Sequence, residues 1–242
     1  AEEWHVKAIL NTHSHADHTG GNRYFQQNTG CKIFAPGIEA CIANHPILEP
    51  ALLYGGAPAK QLRHKFLMAQ ESVCFNISSP DFPSDIEVIP LNGHCFDMVG
   101  YRTPDDVVFL ADCVSSSATL DKYKIGYLYD VQAYLNTLDF VDTLSAKVFV
   151  PSHAEPVEDI HVLTKLNRDA VHEVAEKLLS VCATPTDFET ILQYIFNDYG
   201  LTLNFEQYAL IGSTLRSYLS WLLDGGRLSV SFEDNMLLWK TV

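Results

Sequence analysis

Between Asn11 and Gly21 the chain reads NTHSHADHTGG, and His13, His15, Asp17 and His18 put three imidazoles and a carboxylate within six positions. Ionisable groups held that close cost desolvation and mutual repulsion unless something offsets both. A bound cation does so through coordination by imidazole nitrogen and carboxylate oxygen. Side chains in an extended loop alternate in direction, so His13 and His15 are expected to face one ion while Asp17 and His18 turn toward a second. Taken alone, the four residues could instead form a solvated polar loop.

Three further polar groups repeat the placement of this cluster. Short apolar, β-compatible runs are read at 6–10, 86–91, 98–102, 107–111 and 147–150. The first leads into the His cluster, the second ends at His94, the fourth at Asp112 and the last at His153. In sheets covered by helices, ligands gather at strand ends. Four strand ends could therefore deliver His13, His15, Asp17, His18, His94, Asp112 and His153 to one place. That donor chemistry suits zinc first, and iron or manganese as well. His5, His45, His64, His161 and His172 fit no such position and read as surface or satisfied histidines. Cys95 and Cys113 adjoin expected ligands but read as structural thiols, with Cys113 turned away from the ions by strand alternation. Tyr123, Tyr127 and Tyr129 read as packing residues, with lining of a substrate mouth as the alternative.

The run His13-Ser-His-Ala-Asp-His18 resembles the H-x-H-x-D-H signature of the metallo-β-lactamase superfamily, and His94, Asp112 and His153 follow in that family's order. The resemblance covers roughly residues 4–156 and is most similar to the glyoxalase II type of binuclear hydrolase. It implies an α/β fold, the αββα sandwich of that family. It also implies that His13, His15 and His94 hold one metal, that Asp17, His18 and His153 hold the other, and that Asp112 bridges them. Two ions can lower the pKa of a shared water toward ~7, giving a hydroxide nucleophile, with Asp17 placed to handle its proton. The chain departs from the family after His94, where Cys95-Phe96-Asp97-Met98 replaces the usual Thr-Pro-Gly-Ser, so substrate contacts there differ. Relatives also carry strands before the first motif, so the N-terminal strands are expected to be missing and the chain to be incomplete.

From about residue 157 helical patterns dominate, over 158–180, 187–198 and 205–223. Thr186 with Glu189, and Asn204 with Gln207, read as capping boxes. Phe188, Ile191, Leu192 and Ile195 form one apolar stripe. Gly225-Gly226 ends the third helix, and two strands around Glu233-Asp234-Asn235 close the chain. Three helices and a hairpin form a winged-helix-like pattern, so a catalytic domain over 1–156 and a helical winged-helix-like domain over 157–242 are expected. Winged helices often bind DNA. From residue 160 onward, however, six cations face ten acids, and the third helix carries Arg216 alone. The second domain therefore reads as an active-site cover or a homodimer contact.

The net charge of -14 argues against a nucleic-acid partner. No apolar run is long enough to span a membrane, and the N-terminal AEEWHVKAIL is no secretory signal. The six cysteines lack metal or disulfide spacing and suit the cytoplasm. The expectation is a cytoplasmic metal-dependent hydrolase with two divalent ions, acting on a small-molecule acyl substrate (thioester, ester or lactone). The alternatives are a phosphodiesterase or ribonuclease with the same centre, and a metal-responsive winged-helix regulator.

Overall fold

The computed structural model describes residues 5–242; residues 1–4, the start of the expected catalytic domain, lie outside them. Strand β1 (Ala8–Leu10) leads into a single helical turn, α1 (Ala16–Thr19), and then α2 (Asn22–Thr29). β2 (Lys32–Ala35) follows, then α3 (Gly37–Asn44), α4 (Leu48–Tyr54) and β3 (Cys74–Asn76). These three strands pair in parallel with β2 in the centre. Ile33, Phe34 and Ala35 are accordingly all buried, as a central parallel strand requires on both faces. The Asn44 side chain pins α3 to β3 by donating to the Cys74 carbonyl and accepting from its amide, both at 2.9 Å.

The second sheet contains β4 (Glu87–Pro90), β5 (Val99–Arg102) and β6 (Val107–Ser115). Helices α5 (Ser117–Tyr123) and α6 (Val131–Val141) carry the chain to β7 (Val148–His153), parallel to β6. β4, β5 and β6 are antiparallel neighbours. The loop after β1 ties the sheets together: the Val99 amide donates to the Thr12 carbonyl at 3.0 Å, and the Tyr101 hydroxyl donates to the Asn11 carbonyl at 2.8 Å. The first motif thus lies at the seam between the two sheets.

The C-terminal part comprises α7 (His161–Val181), α8 (Phe188–Asp198), α9 (Phe205–Asp224) and the hairpin β8 (Leu228–Glu233) with β9 (Met236–Thr241). Asp234 and Asn235 have φ of 50° and 63°, as a two-residue hairpin turn demands. Ile191, Leu192 and Ile195 are fully buried as their spacing predicts, each contributing roughly 1.5–3 kcal/mol of burial. Asn204 caps α9 by accepting from the Gln207 amide at 2.8 Å. The cap of α8 is Asp187, accepting from Thr190, and not Thr186. Thr186 is committed elsewhere, because its backbone pairs in both directions with Trp239 of β9. One buried apolar cluster contains Leu110 and Phe149 of the second sheet together with Ile195, Leu215 and Leu219 of the C-terminal helices. The core is therefore continuous across residue 157. Among the described residues no helix is long and apolar enough to cross a membrane.

Candidate metal centre

The first motif is only partly an extended loop. His13 lies in a bend and His15 has an extended ψ of 146°, but the His15 carbonyl accepts from the amides of His18 and Thr19, both at 3.0 Å, so Asp17 and His18 sit on the turn of α1. The helical turn still places both in a second donor group with Asp112 and His153, although the His18 ring packs 4.1 Å from that of His13. Glu39 of α3 clamps the loop between the two histidines: its carboxylate accepts from the Ser14 amide at 2.9 Å and the Ser14 hydroxyl at 2.7 Å, and from the Asp97 amide at 3.2 Å. Burial raises the Glu39 pKa against those hydrogen bonds. Asn11 adds a second brace, accepting from Asn22 at 2.7 Å and donating to the His18 carbonyl at 3.3 Å. Glu39 went unnoticed in the sequence. The available signal was an acid among the buried positions 40, 42 and 43 of its helix.

His94 is delivered by Gly93, whose φ is +116°. A Cβ there would lie 2.2 Å from the Tyr134 amide nitrogen of α6, so the position excludes any side chain. The strand carrying Asp112 does not stop at that residue, as expected, but continues to Ser115. Its pairing with β7 shifts at Ala111, which has a positive φ of 50°. A bulge of this kind re-aims a side chain without ending the strand, and Asp112 points into the site as a result. Cys113 turns into the apolar core, as alternation predicts. His153 closes β7, and its carbonyl accepts from the Ser116 amide at 2.9 Å and the Thr119 hydroxyl at 3.2 Å.

All seven expected residues meet. His15 Nδ1 lies 3.1 Å from His13 Nε2 and 3.0 Å from His94 Nε2. Asp112 Oδ1 is 3.1 Å from His18 Nε2. Asp112 Oδ2 is 3.0 Å from His153, 3.5 Å from His94 and 3.9 Å from His13. Asp17 Oδ2 is 3.5 Å from His18 Nε2 and 3.8 Å from His153 Nε2. Two donor sets result, His13/His15/His94 with Cys95, and Asp17/His18/Asp112/His153. Oδ2 of Asp112 thus stands between the two sets, and Oδ1 faces His18 of the second.

The electrostatics follow from this packing. Burial drives His13 and His15 well below the ordinary histidine range, with neighbouring imidazoles adding to the effect, and burial lowers His94 too. Burial opposes the charge on Asp112, yet His153, His18, His94 and His13 hold its carboxyl far below the usual range. His18 is raised despite its burial by Asp112 and Asp17, and His153 is raised chiefly by its hydrogen bond to Asp112.

These residues fit divalent ions. Nitrogens bound to one tetrahedral ion at 2.0–2.1 Å stand about 3.3–3.4 Å apart, close to the 3.0–3.1 Å seen among His13, His15 and His94. The lone pairs of three neutral imidazoles otherwise converge with too few protons to satisfy them. His18 Nε2 and Asp112 Oδ1 are both buried, and neither is in hydrogen-bond alignment with a partner among the described residues. Orphaned buried atoms of this kind call for an ion or water.

Cys95 sits in a loop beyond β4, where alternation does not apply, and its Sγ faces His15 at 3.3 Å from Nε2 and 3.9 Å from Nδ1. The thiol therefore lies behind His15, nearer the nitrogen turned away from His13 and His94. Tyr127 packs its ring against His15 and His94, with centroids 5.1 and 5.7 Å apart. Tyr123 and Tyr127 line a cavity of about 330 Å³ that opens on Asp17, His94, Asp112 and His153. Tyr129 instead stacks on Phe96 at 4.0 Å. Of the remaining histidines, His64 pairs with Glu206 at 2.9 Å and His161 with Asp159 at 2.7 Å.

Residues 1–153 match the model of the Metallo-beta-lactamase superfamily. A 37-residue stretch is 51% identical to hydroxyacylglutathione hydrolase of Hyphomonas neptunium, covering 15% of this chain and 14% of that protein. A 47-residue stretch is 43% identical to the same enzyme of Rhodospirillum rubrum, covering 16% of this chain and 18% of that one. The chain thus matches less than a fifth of the length of these curated relatives. Among solved structures, a beta-lactamase domain protein of Burkholderia ambifaria superposes with a TM-score of 0.70 at 16% identity, over 98% of this chain and 74% of its own. A metallo-beta-lactamase family protein of Thermus thermophilus gives 0.69 at 16% identity, over 98% of this chain and 80% of its own. At these identities the likeness is one of fold. The chain belongs to the metallo-beta-lactamase superfamily and carries its hydrolase fold around a candidate metal-binding site.

Proposed function

We propose that the protein is a binuclear metal-dependent hydrolase of small acyl compounds, a thioester, ester or lactone, with zinc as the default ion. The observation that carries this reading is Asp112, whose Oδ2 stands between the two donor sets, 3.0 Å from His153 and 3.5 Å from His94, while its Oδ1 faces His18. His13, His15 and His94 would hold one ion, and Asp17, His18 and His153 the other, with Asp112 shared. Two such ions, when bound, bring the pKa of water toward neutrality and polarise the electrophilic oxygen. The protein's part is to hold and orient. Glu39, Asn11 and the Ala111 bulge fix the ligands, while the exposed carboxylate of Asp17 is placed to pass a proton between nucleophile and solvent.

The C-terminal helices support a covering role within a winged-helix-like domain over 157–242. α9 buries Ile211, Leu215, Tyr218 and Leu219 in the shared core. Its one cation, Arg216, lies over the Phe188 ring at 3.9 Å, which leaves a poor surface for DNA. The six free thiols suit a reducing, cytoplasmic setting.

One observation favours a second reading, phosphodiester cleavage. Arg23, Arg63 and Lys65, with His45 and His64, line a cleft of about 710 Å³. That cleft shares no lining residue with the cavity at the metal site, so acyl substrates remain the better fit. Metal analysis of the purified protein, followed by a screen of thioesters, lactones and bis(4-nitrophenyl) phosphate, tests both. Turnover of acyl compounds supports the first reading, and turnover of the phosphodiester alone replaces it with the second.

A further inference from the structure

The cavity beside the metal site has two ends of different chemistry. At its mouth stand Asp17, His94, Asp112 and His153. Its inner wall is built from Ile125, Leu128, Val171, Val174, Leu210 and Ile211, contributed by the α5–α6 connection, α7 and α9. All but Leu210 are buried. Two polar groups along the wall are already engaged. Asn167 accepts from the Ser115 amide at 3.0 Å and donates to the Ser115 carbonyl at 2.9 Å, and Tyr134 donates to the Cys113 carbonyl at 2.8 Å. Lys124 is the one cation in the lining, and its Nζ faces Asp121 at 3.5 Å. Tyr127, Tyr218 and Gln207 also line the space, but a glycan, peptide or charged tail entering it would exchange a full hydration shell for these few partners, at a net cost. An aliphatic chain loses nothing of the kind.

We propose that this cavity is an acyl-chain pocket, so that the substrate is an ester or thioester of a medium-chain fatty acid with its carbonyl at the metal site and its chain between α7 and α9. The proposal rests on the hydrolase reading above and names its substrate class. At about 330 Å³, and with roughly 30 Å³ for each water-sized unit, the cavity holds on the order of ten heavy atoms. In the reaction the acyl carbon exchanges its bond to the alcohol oxygen or thiol sulfur for one to the oxygen of water. One water proton leaves with the alcohol or thiol, the other passes to solvent by way of Asp17, and the fatty acid departs as its carboxylate. The C-terminal helices thereby set chain length, which gives them a role in specificity as well as cover.

Two measurements on the metal-loaded protein test this. In a series of 4-nitrophenyl esters from acetyl to decanoyl, kcat/KM should rise roughly fourfold per methylene up to about octanoyl and then level. Ala170 of α7 also lines the cavity; Ala170→Phe should move the plateau to shorter chains, and Leu210→Ala should move it to longer ones. Independently of turnover, calorimetry should show one octanoate bound per chain at least tenfold more tightly than acetate, with Ala170→Phe removing that preference. If no ester or thioester is turned over, the hydrolase reading fails, and octanoate binding still decides the pocket. A flat chain-length profile with octanoate bound no better than acetate overturns the proposal. Either substitution alone suffices if the other does not fold.

Discussion

Replacing Gly93 by alanine should disable the metal site from a residue that is not itself a ligand. The new Cβ would sit 2.2 Å from the amide nitrogen of Tyr134 and 2.4 Å from its Cα. Both are backbone atoms of α6, fixed in a buried helix, so no side chain can swing away. Alanine at a φ of +116° adds strain of roughly 1–3 kcal/mol, and overpacking adds about 1–3 kcal/mol more. The combined loss of about 2–6 kcal/mol compares with a total stability of roughly 5–15 kcal/mol for a typical domain. For a chain of this size each kcal/mol shifts Tm by about 2–4 °C, so Tm should fall by roughly 4–24 °C. The loop can relieve the clash only by moving away from α6, which means giving up the hydrogen bonds from Tyr129 and Asp130 to the Gly93 carbonyl. His94 moves with it, and the His13/His15/His94 set loses a member. Scanning calorimetry with metal analysis on Gly93→Ala reads both effects. A variant that melts within about 2 °C of wild type and keeps its full metal content would refute the reasoning.

Asp112→Ala should abolish turnover and lower bound metal in both donor sets, and full turnover in that variant would remove the shared-ligand assignment. Cys95→Ser should retain most metal, because a hydroxyl can still partner His15 Nε2, whereas Cys95→Ala should weaken metal affinity about 10- to 100-fold, as loss of a ligand's partner does. Equal metal loss in both Cys95 variants would instead make the thiol a direct ligand. His18 and His153 are raised by Asp112 in the metal-free protein, and a metal ligand must be neutral. Metal binding near pH 7 should therefore release protons and tighten as pH rises, which calorimetry in buffers of different ionisation enthalpy checks; an affinity independent of pH between 6 and 8 would contradict it.

The parts of this fold and site that were legible in the sequence are those whose causes are local. Three imidazoles and a carboxylate in six residues, a strand ending shortly before His94 and another at His153, the Asn204 cap and the Asp234-Asn235 turn all follow from neighbours in the chain. What the sequence hid depends on distant partners. Glu39 earns its place through Ser14, 25 positions away. The bulge that aims Asp112 comes from the pairing of β6 with β7, which no single strand reveals. Thr186 makes a plausible cap until Trp239 pairs with its backbone. Cys95 and Tyr127 look like ordinary packing residues until the loops around them are placed against His15. The basic cleft of Arg23, Arg63 and Lys65 is invisible in a chain whose overall balance is acidic, because its members come from separate segments.

Anomalous X-ray diffraction from metal-loaded crystals, collected at the edge of the bound metal, addresses the central claim most directly. Two peaks per chain are expected, one among His13, His15 and His94 and one among Asp17, His18 and His153, both in contact with Asp112. A single peak, or a pair that leaves Asp112 unbound, would contradict it.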